Sequence, residues 1–400
     1  MSNPVEGEFP QLETKTLNLN LGPSHPATHG TLRIIVDLDG ETIVKANLEI
    51  GYLHRGIEKL GENRTYHQII PLTDRLNYVS CLMNNVGYSL AVEKLLGLEV
   101  PPRAQFIRVI LCELSRIADH LVCIGTNALD MGALTNFWYF FKEREHIYNL
   151  FEMLTGARMT GSYTRIGGLW EDLPSGFLET SREFLKKFPR TVRDVDGLLT
   201  RNKIFINRTK GVGAISAEEA IDYGFSGPCL RAAGVEWDLR KAIPYLGYEN
   251  FDFEIPVGNN GDTYDRYLVR MEEMRQSARI IEQALDNLPD GEINVDNPKI
   301  VLPEKEKVYN TPEGLIHHFK LITEGFKPPK GEIYSATEVA NGELGFYLIS
   351  EGEASPYRIR IRPPCFAIFQ AYSRLIEGSI IADAIAVLGS LNIVAGELDR

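Results

Sequence analysis

The 400-residue chain carries 42 Lys and Arg against 54 Asp and Glu, a net charge of −12, and 44% of its residues are hydrophobic. That balance argues against nucleic acid or an anionic lipid surface as a direct partner, while the length supports a sizeable core. No repeat, low-complexity tract or Ser/Gly-rich linker interrupts it, so one domain over 1–400 is expected, with an N-terminal loop and β-hairpin (1–52), a helical bundle (53–330) and C-terminal strands and helices (331–400).

The start, Met1-Ser2-Asn3-Pro4-Val5-Glu6-Gly7-Glu8, is acidic and has no apolar run, so no signal peptide and a cytosol-type compartment are expected. The longest apolar stretch, 380–395, is broken by Asp383 and Asn392 and is too short to span a bilayer. Membrane contact is therefore expected only through partners. Cys81, Cys112, Cys123, Cys229 and Cys365 form no C-x-x-C pair and no Cys/His cluster at ligand spacing. They read as small buried hydrophobes, and no metal is expected in this chain.

The first distinctive stretch is Leu21-Gly22-Pro23-Ser24-His25-Pro26-Ala27-Thr28-His29-Gly30. His25 and His29 stand four apart, the spacing of two zinc ligands on a helix, but Pro26 pushes His25 out of the α region and Gly30 follows. The segment reads as a turn that projects imidazoles into a cavity, or as turn histidines that only satisfy backbone groups. Residues 31–38 and 41–50 are β-rich and joined by Asp39-Gly40, a hairpin signal. Next comes Gly51-Tyr52-Leu53-His54-Arg55-Gly56-Ile57-Glu58, in which His54, Arg55 and Glu58 cluster at a helix start.

Apolar residues at Leu76, Val79, Met83, Val86 and Leu90 predict one helix over 73–96, with Asp74 and Tyr78 one turn apart on a neighbouring face. Pro101-Pro102 starts a second helix that ends at Asp130-Met131-Gly132. A carboxylate at the negative end of a helix dipole suggests a specific partner for Asp130, although a solvated end residue fits as well. An aromatic-rich helix over 134–154, two helices within 173–199 and a long one over about 263–288 complete the bundle. His317-His318 lies in a helix over 311–323 and reads as structural. Strands over 332–338, 345–349 and 357–361, then helices over 366–377 and 380–391, close the chain and give an α+β class.

Taken together, Gly22-Pro23-Ser24-His25-Pro26-Ala27-Thr28-His29-Gly30, Leu53-His54-Arg55-Gly56-Ile57-Glu58-Lys59-Leu60, Asp74-Arg75-Leu76-Asn77-Tyr78, Leu129-Asp130-Met131-Gly132-Ala133, Gly342-Glu343-Leu344-Gly345 and Gly396-Glu397-Leu398-Asp399-Arg400 resemble the D (49-kDa-type) subunit of respiratory complex I, the NADH:quinone oxidoreductase. The resemblance spans essentially the whole chain. It implies a fold like the large subunit of nickel–iron hydrogenases: a long helical bundle flanked by small antiparallel sheets, with the old metal cavity turned into a quinone cavity. The hydrogenase cysteine pairs are missing, since neither 74–78 nor the last thirty-five residues hold a cysteine.

The resemblance further implies that His29 and Tyr78 donate to the two quinone oxygens, with His25 nearby, and that Asp130 pairs with His29. Two-electron quinone reduction needs two protons, which makes a histidine and a tyrosine sensible donors. Arg55 and Glu58 match an R-G-x-E pattern that implies a remnant proton path, and Arg75 matches an arginine near a cluster. The chain itself has no cluster motif, so electrons would come from a [4Fe-4S] cluster in the neighbouring B subunit. The C and I subunits and the membrane-embedded H subunit are the other implied partners. The implied location is peripheral, on the cytoplasmic side of a bacterial membrane. Where many members carry a cluster-linked histidine this chain has Thr160, which cannot titrate and points toward a lower-potential quinone such as menaquinone. A structural connector and a hydrogenase-type catalytic chain are the alternatives.

Overall fold

The computed structural model describes residues 16–28 and 30–400. Three strands, β1 (Leu17–Leu21), β2 (Arg33–Asp39) and β3 (Thr42–Glu49), form an antiparallel sheet in the order β1-β2-β3. The predicted hairpin is β2–β3; β1 adds a strand that the sequence pattern does not announce, pairing Leu17 with Leu38 and Leu21 with Ile34. The stretch around His25 is therefore the connection between two paired strands. Its mouth needs glycine: Gly22 has φ +87°, and a Cβ there would lie 1.8 Å from the Leu32 carbonyl oxygen.

Helices α1 (Ile57–Gly61), α2 (Tyr66–Thr73), α3 (Cys81–Leu96), α4 (Pro102–Asp130) and α5 (Leu134–Thr155) follow, then the two-residue strands β4 (Thr164–Arg165) and β5 (Gly168–Leu169). After them come α6 (Phe177–Leu199), α7 (Lys203–Thr209), α8 (Ala217–Asp222), α9 (Gly227–Ala232), α10 (Leu239–Ala242) and α11 (Thr263–Asp286). The chain continues with α12 (Lys305–Asn310), α13 (Pro312–Thr323) and the antiparallel sheet β6 (Gly331–Val339), β7 (Gly342–Ser350) and β8 (Arg358–Arg362). It ends with α14 (Pro364–Gln370), α15 (Tyr372–Ile376), α16 (Ile381–Leu391) and α17 (Ala395–Asp399). The class is α+β, a helical bundle flanked by small antiparallel sheets. No helix among the described residues is long and apolar enough to cross a membrane.

Three expectations fail. The helix expected over 73–96 begins only at Cys81: α2 ends at Thr73, and Asn77 is extended at φ −84° and ψ 93° before a 3-10 turn over Tyr78–Ser80. The break survives because the Asn77 side chain caps it, accepting from the Val79 N–H at 3.1 Å. The helix expected over 366–377 is split into α14 and α15 at Ala371, whose N–H closes a tight turn on the Ile368 carbonyl at 3.3 Å. Conversely, 173–199 holds one helix. Phe177, Phe184, Phe188, Val192, Val195 and Leu199 make one buried stripe that runs straight past Pro189, and that packing outweighs the lost hydrogen bond.

At the centre, α4 packs against α5, α11 and α16, and it buries charge as well as apolar surface. Glu113 meets Arg116 at 3.1 Å and Arg240 at 3.2 Å, and accepts from Tyr248 at 2.7 Å and Ser277 at 2.6 Å. Arg231 meets Glu273 at 2.7 Å, Glu338 at 2.8 Å and Asp238 at 3.6 Å, while Arg240 also holds Asp238 at 2.6 Å. Burial keeps His120 neutral-leaning, so its Nε2–H donates to Glu273 at 2.7 Å. The network stitches α4, α9, α10, α11 and β6 together with every one of these charged side chains at or below 1% exposure.

This packing can be tested in three ways. Arg231→Leu takes from Glu338 its cationic partner and from Glu273 and Asp238 one partner each, and should cost about 3–5 kcal/mol, read as a large drop in unfolding midpoint. Burial opposes ionisation of Glu113, yet Arg116 and Arg240 hold its carboxyl down at about 2. Its folded pKa lies below the unfolded value of about 4.3, so its stabilisation of about 3 kcal/mol is present above that value and lost as pH falls toward 2. Glu113→Gln should flatten the acid limb of a stability–pH curve; an unchanged limb would refute the assignment. Finally, Thr160 holds φ +51°, a left-handed conformation that a β-branched residue adopts at a cost of about 1–2 kcal/mol. Thr160→Gly should raise the melting temperature, and a lower one would show that the loop is not strained there.

Candidate functional site

The site is built on the break between α2 and α3. Asn77 is fully buried, and its Nδ2–H donates to Asp119 on α4 at 2.8 Å, which fixes the break against the central helix. Tyr78 then leaves the break half-buried, packed on the second core that the N-terminal sheet shares with α16. Its hydroxyl makes no hydrogen bond to another described residue. Burial raises its pKa, the Cys365 thiol adds to this, and the Arg55 charge opposes it, so the phenol stays protonated at neutral pH and can donate.

The chain's last residues close over this point. Gly396 lies where a Cβ would come within 2.6 Å of the Leu76 carbonyl oxygen and 3.0 Å of the Tyr78 ring, so only glycine fits. Arg55 donates from Nη2 to the Gly396 carbonyl at 2.7 Å, and its buried Nε has no partner among the described residues. Burial lowers the Arg55 pKa, against the pull of Tyr78 and Asp399. Asp399 accepts from the Gly51 and Leu53 N–H groups at 2.9 and 2.8 Å, and His54 Nδ1–H donates to the Asp399 carbonyl at 2.7 Å. Glu58 accepts from the Ile361 N–H at 2.9 Å and from Arg360 at 3.1 Å, with Arg400 at 3.5 Å. The segment from Gly51 to Glu58 is thus a clasp on the C-terminus. It brings Arg55 to Tyr78 and turns Glu58 toward β8.

The loop after α5 sits on the other flank of the break. Ser162 donates to the buried Asp74 carboxylate at 2.5 Å, and Arg75 reaches the Pro71 carbonyl at 2.7 Å and Asp74 at 3.4 Å. The Cys81 thiol lies against the backbone of Thr160 and Gly161. Arg75 and Thr160 therefore share one side of the site, and Arg75 is exposed.

His25 is exposed in the β1–β2 connection, where Thr28 locks the turn by donating from Oγ1 to the His25 carbonyl at 2.8 Å. His29 lies outside the described residues. The connection packs against α16, which runs along α4. Asp130 is the exposed last residue of α4, eleven positions beyond Asp119, or about 16 Å along the axis. The structure thus gathers Arg55, Arg75, Tyr78 and Thr160 around the break.

Behind Tyr78 lies a polar cluster that sequence reasoning missed. Asp119 accepts from Asn392 at 2.5 Å as well as from Asn77, and Asn392 also donates to the Asn341 carbonyl oxygen at 2.6 Å. Asn341 donates to the Cys365 thiol at 3.4 Å. Glu397, 1% exposed, accepts from the Cys365 N–H at 2.9 Å through Oε1, while Oε2 is buried with no partner among the described residues. Burial pushes the Glu397 carboxyl up to about 7, with the Asp119 charge adding to the rise. A signal existed: Asp119 and His120 sit in the apolar midst of α4, where unpaired charge is costly. All five cysteines are buried and free, and no group of three or more His, Cys, Asp or Glu among the described residues could hold a metal ion.

A family model described as "Respiratory-chain NADH dehydrogenase, 49 Kd subunit" matches residues 130–400. The chain is 57% identical over 387 residues to the D subunit of the NADH-quinone oxidoreductase of Geotalea uraniireducens, covering 97% of this chain and 99% of that protein. It is 55% identical over 387 residues to the D subunit of the Geobacter sulfurreducens oxidoreductase, with the same coverage. With the C/D subunit of the Bdellovibrio bacteriovorus oxidoreductase it shares 57% over 389 residues, covering 97% of this chain and 70% of that protein. The chain therefore belongs to the 49-kDa subunit family of the respiratory-chain NADH dehydrogenase and is a D-type subunit of an NADH–quinone oxidoreductase.

Proposed function

We propose that this chain forms the site where the oxidoreductase reduces its quinone, with electrons arriving from a [4Fe-4S] cluster held by a neighbouring B subunit. The observation that carries the reading is Tyr78: a half-buried phenol on a rigid break, with its hydroxyl unspent on the described residues and Arg55 beside it. Quinone reduction builds negative charge on an oxygen, and a fixed O–H donor aimed at that oxygen stabilises the charge and supplies a proton. Arg55 favours the phenolate left behind.

In this reading His29 serves the second quinone oxygen, with Asp130 orienting its ring and His25 lining the approach. Arg75, exposed and pinned by the Pro71 carbonyl, faces the cluster-bearing partner, with Thr160 on the same flank. Arg55 and Glu58 mark a proton route toward the C-terminal clasp. The further partners are the C and I subunits and the membrane-embedded H subunit, and the C/D naming of the Bdellovibrio relative supports a C neighbour. This chain sits peripherally on the cytoplasmic face of the bacterial membrane, meeting lipid only by way of its membrane-embedded partner.

The test is Tyr78→Phe in the assembled complex. It should lower quinone reduction about 100- to 1,000-fold and leave transfer from NADH to artificial acceptors, which draw electrons upstream, unchanged. A wild-type quinone rate would refute the reading. Asp130→Asn and His29→Ala should be strongly non-additive in the same assay if they act as one unit; simple additivity would break the pair.

A further inference from the structure

We propose that Glu397 is a proton-holding residue of the quinone site: its buried carboxyl releases a proton to the Tyr78 phenolate and is recharged from solvent afterwards. The inference rests on the reading of Tyr78 as donor. Geometry supports it first. Glu397 is sealed in the core with one oxygen committed to the Cys365 N–H and the other without a partner among the described residues. An ionised carboxylate there would have only the Cys365 N–H and the Cys365 and Asn341 side chains as donors, with no cation among its chief influences. Gly396, the residue before it, lies against the Tyr78 ring and is held by Arg55.

The charged and titratable groups round Glu397 come from several elements: the Cys365 thiol on α14, Asp119 on α4, and Tyr78 and Arg55 across Gly396. Asp119 opposes ionisation of Glu397, and the amides of Asn341 and Asn392 connect it to Cys365. The Cys365 thiol feels the charge of both Tyr78 and Glu397. No arginine is among the chief influences on Glu397, unlike the acids of the central network.

Electrons and protons balance across the step. The quinone takes two electrons from the iron–sulfur donor of the partner subunit. The Tyr78 O–H bond breaks, its proton going to one reduced quinone oxygen and its electron pair staying as phenolate; in the proposed reading the second oxygen takes its proton from His29, completing the quinol. The Glu397 O–H then breaks and its proton reforms the phenol, leaving a carboxylate that solvent reprotonates. Transfer from a carboxyl near 7 to a phenolate whose conjugate acid lies above 10 runs downhill.

The experiment uses the intact complex with Glu397→Gln, which keeps the side-chain volume. Quinone reduction should fall about 100-fold and lose its inflection near pH 7, while NADH-to-artificial-acceptor transfer stays at wild-type rate. On the resting enzyme, the infrared C=O band of a protonated carboxyl should decline as pH rises through about 7 in the wild type and vanish in Glu397→Gln. Asp119→Asn should move that titration to lower pH, because it removes the neighbouring negative charge. A wild-type pH profile in Glu397→Gln, or an unchanged infrared titration, overturns the proposal. A full quinone rate in Tyr78→Phe overturns the Tyr78 reading and the relay with it, whereas a slow Tyr78→Phe beside a wild-type profile in Glu397→Gln overturns the relay alone.

Discussion

Arg231 holds acids from three places at once, Glu273 on α11, Glu338 on β6 and Asp238 at the start of α10, and the bundle's centre depends on that grip. Removing such groups from water is expensive, so the interior tolerates them only with near-complete pairing and hydrogen bonding. Around Arg231, Arg116 and Arg240 the four acids Glu113, Asp238, Glu273 and Glu338 outnumber the guanidiniums by one. Burial resolves the excess on Glu338, whose pKa rises while Glu113 and Glu273 are held low. Because the partners come from five elements, the network fixes how α9, α10, α11 and β6 stand against α4. The polar cluster behind Tyr78 is positioned from the same helix.

The regular elements were legible where one physical signal dominated. Pro101-Pro102 and Asp130-Met131-Gly132 bounded α4, an aromatic-rich run marked α5, and Asp39-Gly40 gave the β2–β3 hairpin. Legibility failed where a tertiary contact overrode the local pattern. The apolar stripe runs through Leu76 and Val79 without a gap, and only the burial of Asn77 against Asp119 shows why the helix stops. In α6 the reverse happens, and packing carries a helix past Pro189. β1 was missed because its alternation is polar outside: among its residues only Leu21 is buried.

The site was legible as a set of motifs and not as a geometry. The spacing of His54, Arg55 and Glu58 gave no hint that they clasp residues 396–400, since that contact spans more than 340 positions. Thr160 is instructive in a different way. Against the histidine that the family resemblance implies there, it reads in sequence as the loss of a titrating group, but the backbone adds a second fact, a left-handed conformation that histidine tolerates better than threonine. The position is therefore shaped by the turn itself, and the residue present there is the less comfortable one.

Two kinds of buried acid coexist around α4, and the contrast explains why they sit where they do. Glu113 and Glu273 face guanidiniums and stay ionised, which makes them fixed charges suited to holding elements in register. Glu397 faces an amide N–H, a thiol and the negative Asp119, so its two protonation states lie close in free energy near neutral pH. A fixed charge cannot follow a redox change, because its arginine holds it through any local shift of potential. A carboxyl poised between states responds to a small change in nearby charge, and this one is placed one residue from the glycine that seats the Tyr78 ring.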